Sequence, residues 1–514
     1  MNRNREYQNY IGLEVHIHLL TKTKVFCRCR SAFGDEPNTN VCPVCLGYPG
    51  AIPTLNIEAM RMGCVAARSL HCAIPPRTWF ERKQYFYPDM PKNYQISQLA
   101  SPLGQQGYLM LEKRGADGRE IKKKVRIKEC HLEEDSGKMI HAGTVSLLDY
   151  NRAGISLLEI VTEPDMESGE EAELFIRELR RIVRYLGICD GNMEEGSLRA
   201  DANVSINFPG QGLGKKVEIK NLNSSRYVRQ SLNYEIRRQG ELLDAEKTIA
   251  QETRFWNESR NETFPMRQKE NAEDYRYFPE PDIPVFFPDA AFLKSVDDAL
   301  TELPRDRMTR IKNEYGLSEE QAELICDEKE GADYFEAAAA EACKLLREAV
   351  PATTKTADRI ANWFVTDIKA ILNRKRTAIK NIDSFPLTSR RLAALAVMLE
   401  TEKITGKLAR QCMELVIAED REPEDIVRDN NWDQLTGPAA IAEIVKTVFA
   451  AEAKAVTELR SIITAGDKAP NTGNEKRRRI LTAYLVGKML TAAGGRADPK
   501  AAGEEIEKII LSFP

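Results

Sequence analysis

Histidine and tryptophan are scarce in this chain, with five and four residues among 514. Any imidazole chemistry must therefore use His16, His18, His71, His131 or His141. No apolar run approaches the roughly 18 residues a membrane helix needs, so no spanning segment and no membrane partner are expected. The N-terminus, MNRNREYQNYIGLEV, lacks the apolar core of a signal peptide and the Arg/Ser-rich bias of a transit peptide. A cytoplasmic location is expected. The formal net charge is only −4, so nucleic-acid binding cannot rest on a whole-molecule field and must use local basic patches. No GxxxxGK(S/T) phosphate loop occurs. Eleven cysteines, an odd count without a leader, argue for thiols or metal ligands over disulfides.

What is present divides into two kinds of text. A chain of 514 residues exceeds one ordinary core, and two to four domains are expected. Pro and Gly are dense to about residue 290, and the switch passes through Pro279, Pro281, Pro284 and Pro288, which read as an extended linker. Beyond Pro304, Ala-, Glu-, Lys- and Leu-rich helical text takes over. The boundaries expected are 1–290, 291–410 and 411–514.

The first half reads mainly as strands. In YIGLEVHIH, Ile11, Leu13, Val15 and Ile17 alternate with Gly12, Glu14, His16 and His18. Period two sends the apolar set to the core and Glu14, His16 and His18 to the other face. SLRADANVSI repeats this with Arg199, Asp201 and Asn203 on its polar side, and KVEIK with Glu218 and Lys220. Such mixed faces could together line a polar basin. One helix is expected from the S-x-x-E pair Ser168 and Glu171 onward to Gly187. In the second half, Ser318 with Gln321 opens a helix, and Ile360, Trp363, Phe364, Ile368 and Ile371 form a core stripe. The basic runs Arg374–Arg376 and Lys476–Arg479 read as solvated faces or RNA contacts.

Two constellations carry chemistry. Cys27 and Cys29 precede Cys42 and Cys45 by twelve intervening residues, and the turn-rich GDEPNTN lets the pairs close a tetrahedral S₄ site. Four thiolates suit a structural Zn²⁺ and leave no open position. The other is carboxylate density: His131, Glu133, Glu134 and Asp135 in HLEEDSGK, and Glu159 inside the apolar ISLLEIV. An unpaired charge in such text is costly unless a cation resolves it. With Glu14, His16 and Glu218 these residues could bind Mg²⁺ beside phosphate, and surface salt bridging is the alternative. RKQYFYPDMPKNYQISQ offers Arg82, Lys83, Tyr85, Tyr87 and Lys92 as rings and cations for a nucleotide, or as an aromatic loop packed on the sheet. GQGLGKK joins two strand-like segments and reads as a hairpin turn, not a phosphate loop.

Taken together, IGLEVHIHL, FCRC…NVCPVCLGYPGAIPTLN, YFYPDMPKNYQISQ, HLEEDSGK, DYNRAGISLLEIVTEPD, NMEEGSLRADANVS, VEIKNLNS and DYRYFPEPD resemble the B-type subunits of the aspartyl/glutamyl-tRNA(Asn/Gln) amidotransferases. The resemblance covers about residues 10–285, and AYLVGKMLTAAGGRADP is similar to that family's end. It implies an α+β class: a mixed α/β cradle with a large β-sheet, then an all-α domain, then a small α-helical tail that meets tRNA. It implies ATP-dependent activation of Glu-tRNA(Gln) or Asp-tRNA(Asn). Ammonia would come from an amidase-type glutaminase subunit, and a small third subunit would complete a heterotrimer. It also implies Mg²⁺ on His16, Glu134 and Glu159 with Glu14 and Glu218 near. The residues expected to hold ATP, read from the sequence itself, are Arg82, Lys83, Tyr85, Tyr87, Lys92, Arg199, Asp201, Asn203 and Lys220. Ala200 and Met90 depart from the residues common there, and the tail differs around NEKRRR.

Two rivals remain at this level. The archaeal Glu-tRNA-specific relative carries a large inserted domain, for which this chain has no room. A non-catalytic zinc-bearing RNA binder would not line its concavity with carboxylates that repel phosphate.

Overall fold

The computed structural model describes residues 6–114, 120–267, 275–346, 354–435, 438–464 and 472–513. The chain divides into two compact units, Met1–Pro304 and Arg305–Pro514. The expected class is observed: a large mixed sheet with helices, followed by helices alone.

In the first unit the strands are β1 (Gln8–His18), β2 (Glu81–Gln84), β3 (Tyr94–Ser97), β4 (Gly104–Arg114), β5 (Glu120–Glu134), β6 (Lys138–Ala142) and β7 (Val145–Asp149). They continue as β8 (Ser156–Thr162), β9 (Leu198–Asn207), β10 (Val217–Leu222), β11 (Glu252–Asn257), β12 (Glu262–Arg267) and β13 (Phe278–Pro279). Eight form one sheet in the order β12-β11-β10-β9-β1-β8-β5-β4. Its neighbours are antiparallel except the parallel pair β10–β11. A small sheet, β13-β2-β3, and the hairpin β6–β7 complete the strands.

Strand β1 lies at the centre because both its neighbours share its alternation. Ile11, Leu13, Val15 and Ile17 are buried, as are Leu198, Ala200, Ala202, Val204 and Ile206 of β9. Three helices, α1 (Ile57–Ser69), α2 (Gly169–Tyr185) and α3 (Ser225–Asp244), join this apolar face in one core. Each large aliphatic side chain there stabilises the fold by about 1.5–3 kcal/mol. The helix expected after Ser168 is α2, and Ser168 Oγ accepts from Glu171 N. The reciprocal bond differs: Glu171 Oε2 accepts from Glu167 N and also meets Lys123, so that lysine draws the carboxylate away. GQGLGKK joins antiparallel β9 and β10 without a following helix, as a hairpin connection should.

In the second unit, Ser318 and Gln321 form the full capping box. The stripe Ile360, Trp363, Phe364, Ile368 and Ile371 is buried, and a π turn over Phe364–Ile368 interrupts the α-helix there. Two apolar clusters are separate: one from Ile311 to Val427, the other from Ile441 to Ile510. The boundary expected near residue 410 falls inside the helix Gly406–Glu419, whose Leu408, Cys412 and Val416 belong to the earlier cluster. Among the described residues no helix is long and apolar enough to cross a membrane.

Candidate active site and metal centres

Cross-strand register builds the site. His16 of β1 sits opposite Arg199 of β9 on one side and Glu159 of β8 on the other, and Glu159 sits opposite His131 of β5. Partners across a ladder share a face, so Arg199, His16, Glu159 and His131 make one row across four strands. In the next row Glu14 faces Asp201, and in the row beyond that Asn203 of β9 faces Glu218 of β10. The polar basin expected from alternation is thus one surface of the large sheet.

Within the row, His131 Nε2 lies 2.8 Å from Glu159 Oε2, and His16 Nε2 lies 3.5 Å from it. Glu133 Oε1 approaches His16 Nε2 to 3.8 Å. Ligand atoms of His16, Glu133 and Glu159 all lie within 4.8 Å of one another, as do those of Glu14, Asp201 and Glu218. Burial alone would lift Glu159, but hydrogen bonds from His131 and His16 hold it well below the usual carboxylate range. Burial and the charge of Glu159 push Glu133 up. Burial disfavours a charged His16, yet Glu159 and Glu133 outweigh it and raise the imidazole to about 9. The same carboxylates raise His131 against the opposing effect of its burial. A site that draws protons onto two buried imidazoles is one that a cation would neutralise. Two carboxylates and one imidazole at this spacing fit a hard divalent ion.

Glu134, expected beside His16 and Glu159, is placed elsewhere. Buried Cys130 and Leu132 put the even-numbered residues of β5 on the core face, and Glu134 follows them. There it pairs with Lys92 and accepts from Ile96 N at 2.9 Å. The odd-numbered His131 and Glu133 reach the basin instead. The parity of two apolar residues was the signal in the sequence, and the strand's continuation into HLEED hid it. Asp135, just past the strand, takes His18 Nε2 at 2.7 Å, Arg199 at 3.0 Å and Arg152 at 3.4 Å. Burial would raise its carboxyl, but Arg199, His18 and Arg152 hold it far below its ordinary range.

The nucleotide candidates separate in the same way. Arg82 is bidentate to buried Glu280 and lies over Tyr94, 4.3 Å from the ring centroid. Lys92 is buried with Glu134. Both are held by carboxylates. Lys83 lies over Tyr275 at 4.8 Å, and its charge acts on Glu133. Tyr85 and Tyr87 pack with centroids 6.0 Å apart. Lys220 meets Asp201 at 2.7 Å and Glu218 at 3.0 Å, and Asn203 Nδ2 donates to Glu14 at 2.9 Å. Sequence reasoning missed Tyr277, whose phenol is raised by burial and by the charges of Glu133, Tyr275 and Glu159. It lies in the DYRYFPEPD segment, whose Asp274 is outside the described residues.

Cys27, Cys29, Cys42 and Cys45 come together, their sulfurs all within 4.8 Å of one another. Four Zn–S bonds of about 2.3 Å make a tetrahedron with edges of about 3.8 Å, so small adjustments suffice. A hydrogen bond from Cys27 lowers Cys45 to about 5 against the opposing effect of burial, while burial and the Cys42 contact push Cys29 up to about 11. The other seven cysteines are buried. Among them, Cys72 and Cys130 have sulfurs 3.9 Å apart.

Known proteins share this arrangement of segments. The GatB/GatE catalytic domain family matches residues 9–294, and the GatB domain family matches residues 344–510. A relative from Crocosphaera subtropica, named as the B-type subunit of an aspartyl/glutamyl-tRNA(Asn/Gln) amidotransferase, is 41% identical over 98% of this chain and 98% of its own. The chain belongs to this family. Proteins of the same name from Carboxydothermus hydrogenoformans (40% identity, 97% of this chain and 98% of theirs) and Thermosynechococcus vestitus (41%, 97% and 95%) agree. These alignments cover 97–98% of this chain and 95–98% of the relatives.

Proposed function

We propose that this chain is the carboxylate-activating subunit of a glutamine-hydrolysing tRNA amidotransferase, acting on Glu-tRNA(Gln), Asp-tRNA(Asn) or both in the cytoplasm. The observation that carries this reading is the Arg199–His16–Glu159–His131 row with Glu133 beside it. Family membership supports the reaction class, and relatives named as one subunit of an enzyme imply partners.

A free carboxylate does not accept ammonia, because oxide is no leaving group. The γ-phosphoryl of ATP passes to a side-chain carboxylate oxygen of the tRNA-bound amino acid, giving an acyl phosphate and ADP. Ammonia then adds to the carbonyl carbon, the C–O bond to phosphate breaks, and the nitrogen loses a proton. Mg²⁺ held by His16, Glu133 and Glu159, with Glu14 on the next row and Glu218 on the one beyond, would neutralise charge on the transferring group. Lys83 and Lys220, beside these carboxylates, suit phosphate oxygens, and Arg199 extends the cationic side of the row. Tyr85, Tyr87 and Tyr277 offer faces for a base. The fourfold cysteine site holds Zn²⁺ in a structural role.

Ammonia comes from elsewhere. The described cysteines are buried thiols or the S₄ set, so a partner amidase supplies it, and a small third protein completes the assembly. The carboxylate-lined basin disfavours a plain RNA binder, since phosphate would be repelled. The test is a reconstituted three-subunit complex given each misacylated tRNA. ATP cleavage that requires misacylated tRNA, together with amide formation, is expected. ATP-independent amidation, or tRNA binding without either activity, overturns the reading.

A further inference from the structure

Lys24 is completely buried, although it lies three residues before the first zinc-type cysteine. Its ammonium is 3.2 Å from the Tyr150 carbonyl and 3.7 Å from Cys45 Sγ. Among the described residues no carboxylate stands within ion-pair distance of it. A buried ammonium is costly unless an anion compensates it. The anion within reach is a thiolate. Four thiolates around Zn²⁺ carry a net charge of −2, which one buried cation halves.

The same residue ties the two cysteine pairs together. Its backbone N–H donates to the Cys29 carbonyl at 3.0 Å, in the first pair, while its side chain reaches Cys45, in the second. The next residue, Val25, donates its N–H to the Gly154 carbonyl at 3.0 Å, and Gly154 N–H donates to the Asp135 carbonyl at 2.9 Å. Gly154 is a meeting point. A Cβ there would lie 3.4 Å from Lys24 Cδ, 3.6 Å from Cys45 Cβ and 3.9 Å from Glu134 Oε2. On the other side, Gly47 abuts Lys92, where a Cβ would come within 2.7 Å of its side chain. Lys92 in turn pairs with Glu134. The cysteine knuckle is thus seated against the back of the strand end that presents Glu133 and Asp135 to the basin.

We propose that Lys24 is a positioning residue that neutralises the zinc tetrathiolate and couples the knuckle to the end of β5, so that the metal-bound knuckle helps to set the place of Glu133. This rests on reading the four cysteines as a zinc site. Through Lys24 and the Gly154 and Gly47 contacts, disturbance of the knuckle reaches Glu134 and hence its neighbour in the chain.

The experiment uses the full-length chain in complex with its partner proteins, as wild type, Lys24→Met, Lys24→Gln and Lys24→Arg. Zinc content by elemental analysis comes first. Wild-type protein without zinc overturns the zinc reading and this proposal with it. Zinc release to a chromogenic chelator comes next, where removal of an outer partner of a metal ligand is expected to weaken binding at least about tenfold. Both neutral variants should release zinc about tenfold faster, and Lys24→Arg should restore most of the retention. Release at the wild-type rate from zinc-loaded Lys24→Met or Lys24→Gln overturns the role of Lys24 while leaving the zinc reading intact. The third measurement is Mn²⁺ affinity, by electron paramagnetic resonance, as a probe of the His16–Glu133–Glu159 site in zinc-loaded protein. Weaker Mn²⁺ binding in the neutral variants supports the coupling, and unchanged Mn²⁺ binding overturns it.

Discussion

Glu133 and Glu134 are adjacent carboxylates whose surroundings give them opposite tasks. Glu133 shares the basin with His16 and Glu159, whereas Glu134 is sealed behind the strand against Lys92. Glu133→Gln keeps size and removes charge, so tRNA-dependent ATP cleavage should fall on the order of 10³-fold, with the unfolding midpoint little changed. Glutaminase activity, on the proposed assignment to a partner, should retain a basal rate. Glu134→Gln should act on stability, because it leaves the Lys92 ammonium buried without its anion. Breaking a buried pair from one side costs about 3–5 kcal/mol, measurable by denaturant unfolding. A Glu134→Gln chain of wild-type stability but without ATP cleavage would return Glu134 to the metal site. His16→Ala should match Glu133→Gln in losing both ATP cleavage and Mn²⁺ binding. If amidation alone were lost, His16 would belong to the ammonia step instead.

The element that most needs a metal is the cysteine knuckle, whose segment Phe26 to Leu55 contains no long strand or helix of its own. Held by turns and loop contacts, it is the segment expected to gain most from a cross-link. Structural zinc contributes folding free energy outright. Cys42→Ser should therefore lower zinc content and thermal midpoint together, by elemental analysis and calorimetry, from one zinc per chain in the wild type. Retention of full zinc by a variant lacking both Cys42 and Cys45 would show that the ion sits elsewhere. The row across β9, β1, β8 and β5 makes a different demand. A one-residue slip of any member would turn its polar set into the core, so register and site geometry stand or fall together.

At the scale of the whole molecule, three apolar clusters suggest where the chain can be cut. Leu408, Cys412 and Val416 belong to the middle cluster, so truncation after residue 410 should destabilise it. Truncation after about residue 435 spares that cluster and removes only the one from Ile441 to Ile510. The longer truncated form should fold, keep the sheet intact, and bind tRNA more weakly, as read by a binding titration and circular dichroism. Full amidation at low tRNA concentration by that form would remove the tail from tRNA recognition.

Local alternation and spacing determined much of this protein. The apolar face of β1, the polar residues of β9 and β10, the pairing of Cys27 and Cys29 with Cys42 and Cys45, and the Ser318 cap all follow from residues near in sequence, where period and reach are set by backbone geometry. The resemblance supplied the reaction class and the order of domains. Tertiary structure showed that β5 runs on to Glu134, and so which of Glu133 and Glu134 meets His16, because the parity of Cys130 and Leu132 reaches them only if the strand continues. It also decided that Arg82 and Lys92 pair with carboxylates and that Lys24 stands behind the cysteines. Their partners, Glu280, Glu134 and Cys45, are placed by long-range pairing that no local period encodes.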